Sequence, residues 1–554
     1  MSAFLALLMQ RIRRDRVQLP IWILGNGLLA LFASVSVANS YGDPVERTGI
    51  LLLATGSPAI LLLRGLPQGA DLGSFVFFEI FIYLALVAAF MSTFLAVRHT
   101  RAEEESGRAE LVGATPAGRS TPLAATAAYG ALAALAMGVS VTLGLVAGRL
   151  PPAGAVVTGA AVAATGIAFL GIGLVCAQIV HSARAANALA LAVTGVAFLL
   201  RGIGAAAGTP SADGVSMTAA WPTWLSPLGW GEESAAFSTG TLSPLLLDLA
   251  LATVAVAIAL IAARRRDLGA ALLPDRLGRA SARGVLSSSF ALAWRLQWPS
   301  MLAWALGAAV LGVLVGALAP LADAVTQRDP SLATTLGSLL PAGAAGEGTA
   351  HLLLGALFAI IGVLAAGSAT QTIIRMRQEE AAGTAELVLS TPLSPLRWLA
   401  GYLALGAISI VLVLAAGATA ALIGVLGAGS PGETPGTGSS VATGPELGDV
   451  GATAVAQLPA AFVYLGVIAL VFALVPKATI PLGWGLLGAG LVLGVFGGAV
   501  GMPQWLRDIS PFQHTPVVVG GQVDWSGGFW MLAVAALAVV ATLITGRRRE
   551  LVLG

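Results

Sequence analysis

Residues 101–116 read RAEEESGRAELVGATP, residues 377–392 read RQEEAAGTAELVLSTP, and ten of the sixteen positions are identical. The two stretches stand 276 residues apart, almost half of the 554-residue chain, which is the mark of a tandem duplication. Weaker matches flank them in the same order. Arg16, Gln18 and Pro20 reappear as Arg295, Gln297 and Pro299. Pro222, Trp224 and Leu225, followed by Ser226-Pro227, reappear as Pro503, Trp505 and Leu506, followed by Ser510-Pro511. The RRRDL run from Arg264 to Leu268 returns as RRREL from Arg547 to Leu551. Chance in a chain rich in Ala and Gly could repeat an arginine tail, but it does not readily repeat R-x-E-E-x-x-G-x-A-E-L-V-x-x-T-P at corresponding places.

The surroundings of these repeats are apolar. Hydrophobic residues make up 57% of the chain and charged residues 10%, and the mean hydropathy is +0.88. That composition lies far from a soluble globular protein. A helix needs about 20 apolar residues to cross the hydrocarbon core of a bilayer. Twelve such runs are expected, near 18–40, 74–97, 121–147, 153–180, 186–206 and 241–263, then 299–321, 350–373, 398–427, 451–475, 479–501 and 528–546. Continuous runs exclude an outer-membrane barrel, whose strands would alternate over about 10 residues. The apolar stretch 50–63 is short, contains Pro58 and has no counterpart in the second half, so it is expected as an external or re-entrant segment. The fold class is therefore an all-α polytopic membrane protein. Its spans form two six-helix tandem repeats, and an even span count per half relates them by a pseudo-twofold axis along the membrane normal. The organisation is a first half at 1–263, a cytoplasmic linker with a second interface helix at 264–298, and a second half at 299–554.

Charge placement tests the span count, because one missed span would invert every later loop. With both termini inside, 23 of the 29 basic residues fall on the cytoplasmic side, and only Arg47, Arg64, Arg149, Arg201, Arg328 and Arg507 fall outside. Residues 4–16 place Phe4, Leu8 and Ile12 on one helical stripe with Arg11 and Arg14 turned away, as in a helix lying in the interface. Arginine supplies all basic residues but Lys477, and this Arg, Ala and Gly richness fits a GC-rich bacterial genome and a bacterial plasma membrane. A Walker A loop needs Gly-Lys-Ser/Thr, whereas Lys477 follows Pro476, so this chain does not hydrolyse ATP by that route. Cys176 is alone, and His99, His181, His351 and His514 have no metal-ligand spacing. Neither a metal nor another cofactor is expected in the chain, and nothing points to nucleic acid.

Read as one helix, the repeated segment puts Glu103, Gly107 and Glu110 on one face, and Glu379, Gly383 and Glu386 on another. Two acidic faces are thereby offered to the cytoplasm. A glycine inside a helix costs about 1 kcal/mol against alanine, so each marks a close backbone approach or a bend. Pro116 and Pro392 end the elements.

This arrangement resembles the permease subunits of ABC-2 type exporters, also called the type V exporter fold. That family carries a coupling helix with an E-x-x-x-G-x-x-E-x-L-x-x-x-P-like pattern between the second and third spans of each six-helix unit. The pattern falls on Glu103, Gly107, Glu110 and Pro116, and again on Glu379, Gly383, Glu386 and Pro392, with Arg101, Glu104, Arg377 and Glu380 beside it. The chain looks closest to the duplicated twelve-span actinobacterial permeases of the tetronasin or polyketide-antibiotic exporter type, which it also resembles from Arg264 to Arg283. The resemblance implies a homodimer of a separately encoded ATPase, carrying the ATP and magnesium, docked on the two coupling segments. The expected outcome is efflux of a lipophilic small molecule, antibiotic or drug-like, by alternating access.

Within the spans, Glu79 in FVFFEIFIYL and Asp248 in PLLLDLALA are costly enough to require a role. They could line a substrate cavity or pair with polar neighbours. Asn26 and Gln178 read as interhelical hydrogen-bond partners, and Trp221, Trp224, Trp230 and Trp505 as interfacial anchors. The competing function is a secondary transporter of the major facilitator type. Asp275-Arg276-Leu277-Gly278-Arg279 resembles its loop motif, but lies in the central linker instead of between spans two and three.

Overall fold

A computed structural model describes residues 3–56, 58–273, 281, 288–328, 349–427, 447–497, 502–519 and 522–547. Among them are 12 helices long and apolar enough to cross a membrane, in agreement with the expected count. The chain divides into two compact units, Met1–Gly278 and Arg279–Gly554, with the boundary inside the expected linker. The DRLGR stretch at 275–279 lies outside the described residues.

In the first unit, α1 (Ala3–Arg14) precedes the spans α2 (Gln18–Ser40), α5 (Leu72–Arg98), α8 (Thr121–Ala147), α9 (Pro152–Ile179), α10 (Ala183–Ala206) and α12 (Leu245–Arg265). Short helices α3 (Pro44–Thr55) and α4 (Pro58–Arg64) occupy the stretch expected to be external or re-entrant, and neither is long enough to span. Helices α6 (Arg101–Glu105) and α7 (Arg108–Gly113) follow the second span, and α11 (Pro227–Glu232) precedes the sixth. Chain entry is set by ordinary caps. Asp71 accepts from the Ser74 amide at the start of α5, and Ser182 from the Ala185 amide at the start of α10.

The helices show which solvent they were selected for. On α2 the buried stripe is Asn26, Gly27, Ala30, Ser34 and Val37, while Ile21, Leu24, Leu28 and Phe32 are exposed. On α12, beyond buried Leu245 and Asp248 in the first turn, the buried stripe is again small, Ala252, Ala255, Ala259 and Ala262, and large aliphatic residues face outward. Small residues inside and bulky apolar residues outside is the pattern of helices packed in lipid, where close backbone approach supplies the attraction. Helices α5 and α9 are buried around most of their circumference and form the centre of the unit. Asn26 donates from α2 to the Leu84 carbonyl of α5 at 3.1 Å.

The second unit has spans α13 (Ser289–Arg328), α14 (Thr349–Ala381), α16 (Pro395–Gly427), the pair α17 (Leu447–Ala456) and α18 (Leu458–Leu474), α19 (Thr479–Gly490) and α21 (Ser526–Gly546). Helix α15 (Thr384–Leu389) follows the second of these spans, and the four-residue α20 (Gln504–Arg507) precedes the last. Of the linker expected at 264–298 with a second interface helix, 274–280 and 282–287 lie outside the described residues, and from Ser289 the chain runs as α13 unbroken into the span. In the first unit the break falls at Asp15–Val17, where buried Asp15 is held by His99 and Arg98; the aligned position in the second half is Trp294, which continues the helix.

Helix α1 also differs from its expected facing. Leu5, Met9 and Ile12 form its outward apolar stripe, Leu8 packs inward, and Arg11 is buried, its Nη2 donating to the Pro122 carbonyl at 2.7 Å. The side predicted to meet water lies against α8, and a long guanidinium reaches a free carbonyl there.

Candidate coupling site

Both repeated segments adopt one geometry, and it is not one helix. The first breaks at Gly107 (φ 74°, ψ −5°) and the second at Gly383 (φ 73°, ψ −2°). Both glycines sit in the left-handed region that a side chain disfavours, and a Cβ on Gly107 would meet nothing within 4 Å. The glycine is therefore a bend and not a close contact, and Glu103 and Glu110 do not share a helical face.

The bend separates an anchored part from an exposed tip. In the first unit Arg101 is 1% exposed, with its Nε donating to the Ala177 carbonyl at 2.8 Å and its Nη1 to Glu104 Oε2 at 2.9 Å. Arg266, just past α12, also holds Glu104, Nη1 to Oε2 at 2.8 Å, and donates its Nε to Gln178 Oε1 at 2.7 Å. Glu103 pairs with Arg14 of α1 and with Arg108, the latter at 3.0 Å. In the second unit the anchor repeats as Arg377 and Glu380, both buried and 3.6 Å apart. Glu379 lies 3.4 Å from Arg375 and accepts from the Tyr402 hydroxyl at 2.6 Å. Of the four glutamates expected on the outward faces, Glu103 and Glu379 are therefore engaged within their own unit, as are the neighbouring Glu104 and Glu380, a correction that follows from the cost of leaving carboxylates unpaired at a helix packing surface.

What remains outward is the tip. Glu110 and Glu386 are exposed, and so are Pro116 and Pro392 just beyond helices that end at Gly113 and Leu389. Beside the glutamates, Leu111 and Leu387 are each 73% exposed. Sequence reasoning missed these leucines. The signal was present, since A-E-L-V is identical in both copies and a leucine retained beside a solvated glutamate has no need of burial to explain it.

One family model matches residues 286–547, described as "Multidrug efflux system permease Rv1217c, C-terminal domain". The multidrug efflux system permease protein Rv1217c of Mycobacterium tuberculosis is 35% identical over 561 residues, covering 99% of this chain and 95% of that protein. The chain belongs to this multidrug efflux permease family. Membership accords with a transport subunit lodged in the membrane and gives the secondary-transporter reading no support.

In this member of the family, the two acidic residues expected inside spans lie at the ends of their helices away from the bent segment. Glu79, in the second turn of α5, forms an ion pair with Arg64 of α4. Asp248, in the first turn of α12, is fully buried and neither carboxyl oxygen has a hydrogen-bond partner. Helices α10 and α11 hold an ion pair that the sequence did not reveal. Arg201 of α10, counted among the basic residues on the outer side, is fully buried, 3.8 Å from Glu232 of α11, and donates to the Leu62 carbonyl at 2.8 Å. Glu232 also accepts from the Leu66 amide at 2.5 Å. Burial pushes the Glu232 carboxyl up, and Arg201 and that amide oppose it.

Proposed function

We propose that the chain is the membrane-spanning subunit of an ATP-binding cassette exporter, docked through its two bent segments on a homodimer of a separate ATPase that binds ATP and magnesium. In this reading both termini and both tips face the cytoplasm of a bacterium, and a lipophilic small molecule leaves by alternating access. The observation that carries it is the pair of equally exposed leucines, Leu111 and Leu387, each beside an outward glutamate and each mounted on a buried Arg-x-x-Glu anchor. An exposed apolar side chain on a rigid, charge-rimmed mount is the form of a docking knob, since its burial in a partner groove would contribute about 2 kcal/mol. Two such knobs in duplicated segments suit a two-fold partner. The relative's name, a multidrug efflux permease, supports the direction and the breadth of substrate.

The coupling set is Arg101, Glu103, Glu104, Gly107, Glu110 and Pro116, with Arg377, Glu379, Glu380, Gly383, Glu386 and Pro392. The anchor residues position, and the tips touch the ATPase. Asp248 is the carboxyl proposed to meet substrate when the helices part, while the ion pair with Arg64 favours a structural role for Glu79. The decisive experiment is Glu110→Arg with Glu386→Arg in a complex reconstituted with the ATPase. Drug-stimulated ATP hydrolysis should disappear while membrane insertion persists; full stimulation in the double variant would remove the docking role.

A further inference from the structure

The first unit contains a cavity of about 490 Å³ between α1, the bent segment, the start of α8 and the end of α12. Its lining carries five arginines, Arg11, Arg14, Arg108, Arg119 and Arg266, against three carboxylates, Glu103, Glu104 and Asp267. The excess is positive: Arg14 and Arg108 share Glu103 and Arg266 is held by Glu104, which leaves Arg11 without a carboxylate of its own among the described residues. Arg11 is 7% exposed, has no ion-pair carboxylate, and its Nε has no partner. Burial pulls Arg11 down, to about 10, which still leaves it charged at neutral pH. Arg119 stands 3.6 Å from an Asp267 that is itself 94% exposed, a solvent-screened pair of little strength.

The same cavity is also apolar. Leu7, Leu111, Val112 and Leu123 line it beside the arginines. Its wall helix, α1, turns Leu5, Met9 and Ile12 outward, as a helix at the lipid boundary does. The pocket thus combines donors for an oxyanion with walls for hydrocarbon beside a helix whose outer face is apolar. The positive lining is particular to the first half. In the aligned second half Arg11, Arg14 and Arg108 become Phe290, Ala293 and Thr384, although the neighbouring glutamates are retained. A duplication that keeps the acidic residues and Arg266 (as Arg549) in both copies, but Arg11, Arg14 and Arg108 in one, has separated a second task from the shared one.

We propose that this cavity binds the phosphodiester headgroup of an anionic phospholipid from the adjacent leaflet, with Arg11 and Arg108 as the principal phosphate donors. Guanidinium and phosphate make paired charge-assisted hydrogen bonds, and basic pockets among membrane helices hold anionic headgroups by this chemistry. The site shares Leu111 and the bent segment with the proposed ATPase docking, but its arginines and the test below do not rest on that reading.

The test is native mass spectrometry of the full chain in detergent, titrated with short-chain phosphatidylglycerol, with short-chain phosphatidylcholine, and with inorganic phosphate. Phosphatidylglycerol should bind with preference over both others. Arg11→Gln should weaken it by about tenfold, and so should the double variant Arg108→Gln with Arg119→Gln, whose exposed side chains leave folding undisturbed. Arg13→Gln removes the same charge from an exposed position outside the cavity and should change nothing. Equal loss in Arg13→Gln would reduce the effect to general surface charge and overturn the site. Equal binding of phosphatidylcholine, or inorganic phosphate binding as tightly as the lipid, would overturn the assignment to an anionic lipid.

Discussion

Arg266 and Glu104, 162 positions apart, form a two-pronged ion pair with Nη1 to Oε2 at 2.8 Å and Nη2 to Oε1 at 2.5 Å. The pair fastens the short helix after the second span to the end of the sixth, and Gln178 on the same arginine brings in the fourth. Arg266→Gln should destabilise the chain by about 2–3 kcal/mol, because Glu104 keeps one buried guanidinium and loses the other. Thermal unfolding in detergent reads the loss, and Arg266→Lys should recover only part of it, since an ammonium cannot hold both oxygens in this plane.

Gly107 and Gly383 carry the two bends at positive φ. With open space around the Gly107 Cβ position, the cost of Gly107→Ala is a backbone cost of about 1–2 kcal/mol. Gly107→Asn should cost less and Gly107→Val more. The same order is expected in coupled ATP hydrolysis of the reconstituted complex, and an equal response to all three would mean that the bend is not under load.

Leu111→Ala and Leu387→Ala remove apolar surface that touches little in the isolated chain. Each should leave the melting temperature within about 1 °C of wild type, as surface substitutions do. Each should also weaken co-purification with the proposed ATPase by about tenfold, and the double variant should abolish it. A strong effect of one tip with none from the other would argue for an asymmetric partner.

Glu233, at the end of α11, lies outside the spans, and burial together with the neighbouring Glu232 carboxylate pushes it from 4.5 up to about 7. Between those values the native chain holds a proton that the unfolded chain has released. Stability should therefore fall as pH rises from about 4.5 through about 7. Glu233→Gln should flatten that part of the profile and raise the melting temperature above pH 7.

Helix crossings in both units rest on paired glycines. A Cβ on Gly144 would strike the Gly27 carbonyl between α8 and α2, and one on Gly312 would strike the Gly417 carbonyl between α13 and α16. Gly144→Val and Gly312→Val should each cost more than about 2 kcal/mol, since backbone cannot yield as a side chain does. Detergent melts would show it, and a neutral outcome would mean that the crossing relaxes without loss.

The helix count was legible because twenty-residue apolar runs have one physical use, and the bent segments were legible because they occur twice. What the sequence concealed was direction. Glu103, Glu104 and Glu110 look alike in one dimension, yet two are engaged and one is free, because Arg14, Arg101 and Arg266 arrive from distant parts of the chain. Arg201 and Glu232 were invisible as partners for the same reason. Gly107 signalled a bend correctly, but the left-handed turn it permits cancelled the face-sharing of an unbroken helix.

The fastening of Glu232 to Arg201, to the Leu66 amide and, through its carbonyl, to Gln68 at 2.9 Å stands far from the tips, where the chain leaves the opposite ends of α10 and α5. A bundle pinned there behaves as a lever with its fulcrum at one rim. A small push delivered at the bent segment would then grow with distance from the pin, moving helix ends near Arg266 most and those near Leu66 least.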